Sequence, residues 1–343
     1  MNPDRFDQLT AAWADLRVAV IGDFCLDRYL EIDPAKRETS LETGLPVHNV
    51  VNVRAQPGGA GTILNNLVAL GAASFHVVGF CGEDGEGWEL RRALRLQRGV
   101  RLDHFLQTPR RRTFTYCKPL VLEEDRPPRE LNRFDSKNWS PTPEEVSARL
   151  TESVAALADQ VDAVVVLEQV DLAETGVVTQ PVREAVGQLA EARPQLPVIA
   201  DSRRGLKEFP PLSFKMNAAE LGVMVDGPPP RSPAEAAAPA AEVARRNGRP
   251  CIITLAEQGL VGADPDGETV HVPALPVRGE IDIVGAGDSV TATVALALAA
   301  GGTLREALEL AALASSVVIH QLGTTGAATV EAMRPLLEEQ SAA

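Results

Sequence analysis

Five short β-branched runs alternate with stretches of helical periodicity along most of the chain: Arg17 to Gly22, His76 to Phe80, Ala163 to Leu167, Pro197 to Ala200 and Cys251 to Leu255. Strands buried on both faces read as nearly continuous apolar runs, and parallel pairing requires crossover segments of the kind that lie between them. The pattern predicts an α/β protein with a mostly parallel central sheet and helices on both faces. With 343 residues and 45% hydrophobic content, the chain has ample material for a packed core, read here as one domain over 1–343. Thr142-Pro143-Glu144-Glu145 and Thr303-Leu304-Arg305-Glu306 read as capping boxes that start helices, the first with proline at the leading helical position.

Two regions break the alternation. Residues 31–56 and 105–135 carry short extended patterns, such as Leu45-Pro46-Val47-His48-Asn49-Val50-Val51 and Arg112-Thr113-Phe114-Thr115-Tyr116, with no helix between the strands. Together they predict a small β lid. Pro228-Pro229-Pro230 and the alanine-rich stretch through Ala241 read as a surface insertion leading into a helix.

Charge narrows the function classes. A formal net charge of −14, from 33 basic and 47 acidic residues, argues against nucleic acid or an anionic membrane surface as a partner, since both need a basic face. A small-molecule substrate is expected. The N-terminus has neither a cationic start nor an apolar core of signal-peptide type, and long apolar stretches are interrupted before spanning length, so a cytoplasmic location is expected. Cys25, Cys81, Cys117 and Cys251 are widely spaced, lack a Cys-x-x-Cys pairing and read as thiols, not as a disulfide or zinc set.

The chemistry concentrates in Val284-Gly285-Ala286-Gly287-Asp288-Ser289. Val290, Val294 and Leu298 recur every four residues and Gly301-Gly302 stop the run, so Asp288 belongs in the first turn of a helix. The same letters would serve a plain Asp cap. As a functional turn, the N–H groups of Gly285, Ala286 and Gly287 converge on one spot, where free amides and the helix dipole favour a developing negative charge beside a base. Gln56-Pro57-Gly58-Gly59-Ala60-Gly61 precedes a second helix whose glycines permit close approach of a ligand, and it is not a Walker A loop. Asp23 follows the first strand, where an open parallel sheet binds ligands and a carboxylate can accept two sugar hydroxyls. Asn217-Ala218-Ala219-Glu220 places two polar side chains on one helix face, suited to phosphate oxygens and Mg²⁺-bound water, although it is also a capping pattern.

Taken in order, Asp23, Gly58-Gly59, Asn217-x-x-Glu220, Thr254-Leu255-Ala256-Glu257-Gln258-Gly259 and Asp282-Ile283-Val284-Gly285-Ala286-Gly287-Asp288 resemble the ribokinase-type (PfkB) carbohydrate kinases from about Val18 to Thr329. The resemblance implies a ribokinase-like three-layer α/β sandwich with a β lid, ATP and Mg²⁺ as cofactors with a monovalent cation as a further candidate, and homodimers formed through the lids. It implies that Asp288 is the base, that Gly285, Ala286 and Gly287 form the anion hole, and that Asn217, Ala218, Ala219, Glu220, Thr254 and Gly259 serve the nucleotide, with Glu220 reaching Mg²⁺ through water.

Within that family the chain is most similar to the heptose 7-phosphate kinases of ADP-heptose synthesis. The supporting stretches are Gly22-Asp23-Phe24-Cys25-Leu26-Asp27-Arg28-Tyr29, Leu45-Pro46-Val47, Leu131-Asn132-Arg133-Phe134-Asp135 and Leu322-Gly323-Thr324. Departures fall on the sugar side. Thr62 stands where an Asn is usual, leaving Asn66 downstream; Leu167-Glu168-Gln169-Val170-Asp171 replaces an Asp-Tyr-x-x-Gly segment; Asp-Pro-Lys reads Asp201-Ser202-Arg203. No adenylylating domain of cytidylyltransferase type is expected after Ala343. The sugar-side candidates are Asp23, Asp27, Gly58, Gly59 and Asn66, with Arg112, Lys118 and Arg133, clustered with Arg110 and Arg111 in the expected lid, as a phosphate clamp in a net-acidic chain; the Arg203-Arg204 pair, which follows a strand end, is a second clamp candidate. A nucleotide-dependent dehydrogenase is disfavoured because the third glycine of its fingerprint is missing. A ribokinase- or fructokinase-like kinase and a non-catalytic sugar or nucleotide sensor remain as alternatives.

Overall fold

Strand β1 (Arg17–Gly22) shows why the apolar runs are continuous: Val18 and Val20 face one helix layer, Ala19 and Ile21 the other, and none is more than 1% exposed. The structure is a computed structural model that describes residues 1–124, 126–323 and 325–342. Asp125, within the expected lid, and Thr324, in the Leu322-Gly323-Thr324 stretch, lie outside the described residues.

Two strands leave the main sheet at once. β2 (Phe24–Ile32) follows β1 after Asp23 alone, and a short ribbon of β3 (Glu38–Thr39) and β4 (Pro46–Val47) leads to β5 (Val50–Gly59). The main sheet resumes with β6 (Ser74–Gly82), β7 (Val100–Arg101) and β8 (Phe105–Thr108). The small sheet resumes with β9 (Thr115–Val121), β10 (Arg129–Glu130) and β11 (Phe134–Ser136). The remaining strands are β12 (Ala163–Glu168), β13 (Val198–Ser202), β14 (Ser213–Asn217), β15 (Cys251–Thr254), β16 (Leu260–Ala263) and β17 (Thr269–Val272). The main sheet runs β17-β16-β15-β14-β13-β12-β1-β6-β7, parallel from β15 to β7 and antiparallel across β15, β16 and β17. The chain leaves β1 toward β6 and later returns on the other side at β12, so a topological switch point lies between β1 and β12 and opens a crevice at their carboxyl ends.

Helices α1 (Pro3–Ala12) and α2 (Ala60–Leu70) cover one face, together with α8 (Ala286–Ala299), α9 (Leu304–Ile319) and α10 (Val330–Ala342). On the other face lie α4 (Glu144–Ala156), α5 (Gln180–Ala192), α6 (Ala218–Met224) and α7 (Pro233–Asn247). Helix α3 (Gly85–Arg95) sends Leu90 and Leu94 into the first core. The Thr303 capping box forms reciprocally with Glu306, whereas Thr142 does not cap α4: its hydroxyl donates to the Gly176 carbonyl at 2.6 Å.

The lid differs from its expected bounds. It begins at Phe24, while Phe105–Thr108 pairs with β6 in the main fold. Phe24, Cys25 and Leu26 extend the apolar run of β1, so hydrophobicity marks no boundary. The break comes from Gly22, where a Cβ would stand 2.3 Å from the Leu167 carbonyl oxygen. Phe114, within the second region expected to form the lid, is instead core and packs on the Phe80 ring at 5.9 Å. The lid sheet runs β10-β9-β2-β5, which leaves β5 as an edge strand with Val50, Val51 and Val53 between 43% and 48% exposed.

Candidate active site

Helix α8 starts at a left-handed residue, Gly285 with φ of +85°, a conformation that disfavours any side chain; a Cβ there would also meet Thr325 Cγ2 at 2.8 Å. The Ser289 N–H donates to the Gly285 carbonyl, and the Asp282 carboxylate accepts from the Val284 N–H. Of the three amides expected to converge, that of Ala286 is taken by the Ile283 carbonyl at 3.2 Å, a tight turn that the letters do not reveal. The N–H groups of Gly285, Gly287 and Asp288 have no hydrogen-bond partner among the described residues. The Ala286 amide, expected among the converging donors, is thus occupied, while that of Asp288, not expected among them, is open.

The Asp288 carboxylate is half-buried and has no hydrogen bond or ion pair with another described residue. Burial pushes its pKa up to about 7; Asp201 and Asp27 add to the rise and Lys215 opposes it. A free carboxylate poised near neutrality beside unpaired amides has the properties of a general base.

Asp27 and Asp23 lie four positions apart yet serve different ends. Asp27 sits on β2, in register with Gln56 and Tyr116, and is 9% exposed. Burial raises its pKa, Lys118 and Arg133 oppose that, and Asp135 adds to it. Gly58 is required beside it, since a Cβ would stand 2.4 Å from Asp27 Oδ2. Asp23, expected to hold sugar hydroxyls, is 1% exposed and its oxygens accept from the Gln169, Val170 and Val177 N–H groups at 2.8, 3.3 and 2.6 Å. Gly176 permits this contact, because a Cβ there would lie 2.3 Å from Asp23 Oδ1. Asp23 thus staples the segment after β12 to the end of β1, and it does not face the cleft. Asn66 is likewise structural. It is fully buried, donates to the Thr62 carbonyl and accepts from the Ala328 N–H, while Thr62 lies behind the Gly285 turn.

The expected clamp divides. Lys118 lies over the Tyr29 ring and Arg133 over the Tyr116 ring, both bearing on Asp27, although Arg133 also pairs with Asp135 at 2.8 Å. Arg112 is not with them: its backbone is bracketed by Asn138 and its charge acts on Asp84 at the start of α3. Arg111 is buried against the carbonyls of Ser140, Pro141 and Thr175, and Arg204 pairs with buried Glu168.

On the nucleotide side, Asn217 and Glu220 form a reciprocal capping box at the start of α6, with Ala218 and Ala219 between them. One Glu220 oxygen is held by the Asn217 N–H and the other has no partner among the described residues; burial raises the Glu220 pKa. No group of three His, Cys, Asp or Glu side chains forms a metal cage among the described residues. Mg²⁺ travelling with nucleotide phosphates needs only one or two carboxylates and keeps several waters, so the residues present fit such an ion. Thr254 pairs with Asn217 across β15 and β14. Gly259, with φ of +91°, lets the turn into β16 pass against β17, where a Cβ would lie 2.1 Å from the Val272 carbonyl oxygen. Lys215 and Asp201, whose side chains join at 2.8 Å, were missed as site residues. The signal was present: a lone lysine within the apolar strand Ser213-Phe214-Lys215-Met216.

The family model for pfkB family carbohydrate kinases matches residues 15–331. The chain is 31% identical over 326 residues to the bifunctional protein HldE of Gluconobacter oxydans, covering 94% of this chain and 65% of that protein. Among solved structures it is similar to Arabidopsis thaliana ribokinase complexed with ribose and ATP, with a TM-score of 0.66 and 18% identity over 94% of this chain and 99% of that one. It is also similar to phosphofructokinase-2 from Escherichia coli in complex with potassium, with a TM-score of 0.70 and 18% identity over 96% and 99%. The structural matches establish the ribokinase-like fold. The family match extends through the Gly285–Asp288 turn, and the chain belongs to the pfkB family of carbohydrate kinases.

Proposed function

We propose that the protein transfers the γ-phosphoryl group of ATP to a hydroxyl of a phosphorylated sugar, a heptose 7-phosphate, with Asp288 as the general base. The observation that carries this reading is a carboxylate with no partner, raised to about 7, at a helix start whose Gly285, Gly287 and Asp288 amides are unpaired. Asp288 takes the proton of the sugar hydroxyl as its oxygen bonds to the γ-phosphorus; the bond to the β-phosphate oxygen breaks, and ADP leaves with the electron pair. The unpaired amides stabilise the charge on the transferring oxygens. The free Glu220 oxygen would hold Mg²⁺ through water, and that ion would supply neutralisation of phosphate charge when bound. Asn217, Thr254 and Gly259 border the nucleotide.

In this reading Asp27 accepts sugar hydroxyls, and Lys118 and Arg133, whose charges bear on it, supply the cations that a phosphorylated acceptor needs. The likeness to HldE favours a heptose phosphate as acceptor. The exposed β5 edge with Val50, Val51 and Val53 is a strand-pairing surface, and two lids meeting there form a homodimer. A panel of sugars and sugar phosphates, scored for ADP release and product regiochemistry, tests the reading. The expected result is highest kcat/KM for a heptose 7-phosphate. Preference for neutral ribose or fructose would leave a carbohydrate kinase of another specificity, and absence of turnover on every sugar would overturn the catalytic assignment.

A further inference from the structure

Strand β14 is buried from Ser213 to Met216, and Lys215 lies within it at 8% exposure. A buried ammonium is expensive unless paired, and Asp201 on the adjacent strand β13 supplies the partner, with Nζ to Oδ2 at 2.8 Å. Pairing alone does not explain its presence, because a hydrophobic pair of similar volume would hold two strands as well or better.

The position of the ammonium does. A Cβ built on Gly287 would stand 2.9 Å from Lys215 Nζ, so the charge rests against the first turn of α8, beside the unpaired amides of Gly287 and Asp288. The absence of a side chain at Gly287 is what admits it. Nζ has three protons, of which one is directed to Asp201, and no second acceptor for it exists among the described residues. Two donors and a full positive charge therefore remain at the point where a transferring phosphoryl group would meet the helix. Three carboxylates face this ammonium, from β13 (Asp201), α6 (Glu220) and α8 (Asp288).

We propose that Lys215 is a further catalytic residue of the phosphoryl transfer, its ammonium held by Asp201 and hydrogen-bonded to an oxygen of the migrating phosphoryl group. The inference rests on the kinase reading above and adds a cation to an anion hole otherwise made of amides. Lys215 neither gains nor loses a proton in the step: the hydroxyl proton goes to Asp288, and the electron pair of the broken bond leaves on ADP. Its contribution is charge that strengthens as the equatorial oxygens become more negative, which lowers the barrier more than it tightens ATP binding. Asp201 is a positioning residue that directs one proton of Nζ and leaves the others for the phosphoryl oxygens.

The two side chains act on Asp288 with opposite sign. Asp201 raises its pKa and Lys215 lowers it, with Asp27 as the remaining charged neighbour, itself a group that raises it. Lys215→Met therefore moves the acidic limb of the kcat profile to higher pH, and Asp201→Asn moves it to lower pH.

The test compares wild-type protein with Lys215→Met, Lys215→Arg, Asp201→Asn, the Lys215→Met/Asp201→Asn double variant and Asp288→Asn on the best sugar of the panel. The expected result for Lys215→Met is a loss in kcat of about a hundredfold or more, the scale of removing one anion-hole donor. KM for the sugar stays within about twofold, Lys215→Arg recovers part of kcat, and the two pH limbs shift in opposite directions. The double variant leaves no buried unpaired charge, so it keeps the test open if either single variant fails to fold. A folded Lys215→Met or double variant with kcat within about threefold of wild type overturns the proposal. If Asp288→Asn is inactive in that same experiment, the kinase reading stands and only the role of Lys215 falls; a wild-type protein inactive on all sugars defeats both.

Discussion

Asp23 and Asp288 are carboxylates whose pKa burial raises, to about 6 and about 7 respectively, yet their surroundings differ. Around Asp23, the segment after β12 brings the Gln169, Val170 and Val177 amides onto both oxygens. The Asp288 carboxylate accepts no such donor: the Gly285, Gly287 and Asp288 amides at its helix start stay unpaired, and it has no partner among the described residues. A buried carboxylate saturated by backbone donors is a fastening, while one left open beside unpaired donors is available for chemistry.

Exchanging each carboxylate should separate the two roles. Asp288→Asn, nearly isosteric, is expected to lower kcat by roughly two to four orders of magnitude with an unchanged melting transition. Steady-state kinetics and thermal melts check this, and an unfolded variant or near-normal turnover would remove the distinction. Asp23→Ala is expected to do the reverse. It leaves three buried N–H donors without an acceptor and should destabilise the protein by about 3 kcal/mol or more in urea unfolding, with kcat of the remaining folded enzyme little changed. A stable Asp23→Ala protein with lost turnover would return Asp23 to the substrate side.

That comparison also explains what the sequence made legible. The parallel sheet was readable because β1, β6, β12, β13 and β15 are apolar on both faces. The α8 start was readable because glycines, an acidic first turn and four-residue periodicity all occur within Gly285 to Leu298. The fate of Asp23 was not readable: its partners lie 146 to 154 residues downstream, and only the closed fold brings them close. The division of the cations has the same cause, since Arg112 precedes β9 and acts on Asp84 while Lys118 lies within it and acts on Asp27. The Ala286 amide was misjudged because a tight turn to Ile283 depends on backbone angles, not on residue type.

The same contrast between open and occupied groups ranks the lid cations. Lys118 has no ion pair among the described residues, Arg133 is shared with Asp135, and Arg112 is remote from Asp27. Lys118→Ala should raise KM for the phosphorylated sugar about tenfold, Arg133→Ala less, and Arg112→Ala within about twofold, with no such order on the unphosphorylated sugar. Equal effects across the three would mean that the clamp lies elsewhere. The smallest catalytic effect belongs to the lid edge. Val51→Lys on β5 should convert a dimer into a monomer in light scattering at micromolar concentration while kcat changes little; a wild-type protein already monomeric would remove the lid interface.

The central claim is that Asp288 works as a base because its carboxylate is free and titrates near neutrality. The most direct measurement is the pH dependence of kcat/KM for the wild-type enzyme on its best sugar. Only the deprotonated form accepts the hydroxyl proton, and its pKa in the free site stands above the ordinary carboxylate range, so kcat/KM should rise with pH through a limb centred at about 7. Asp288→Asn should abolish that limb along with most of the rate. A wild-type profile flat from pH 5 to pH 8, within roughly twofold, or a limb that persists in Asp288→Asn, would contradict the account.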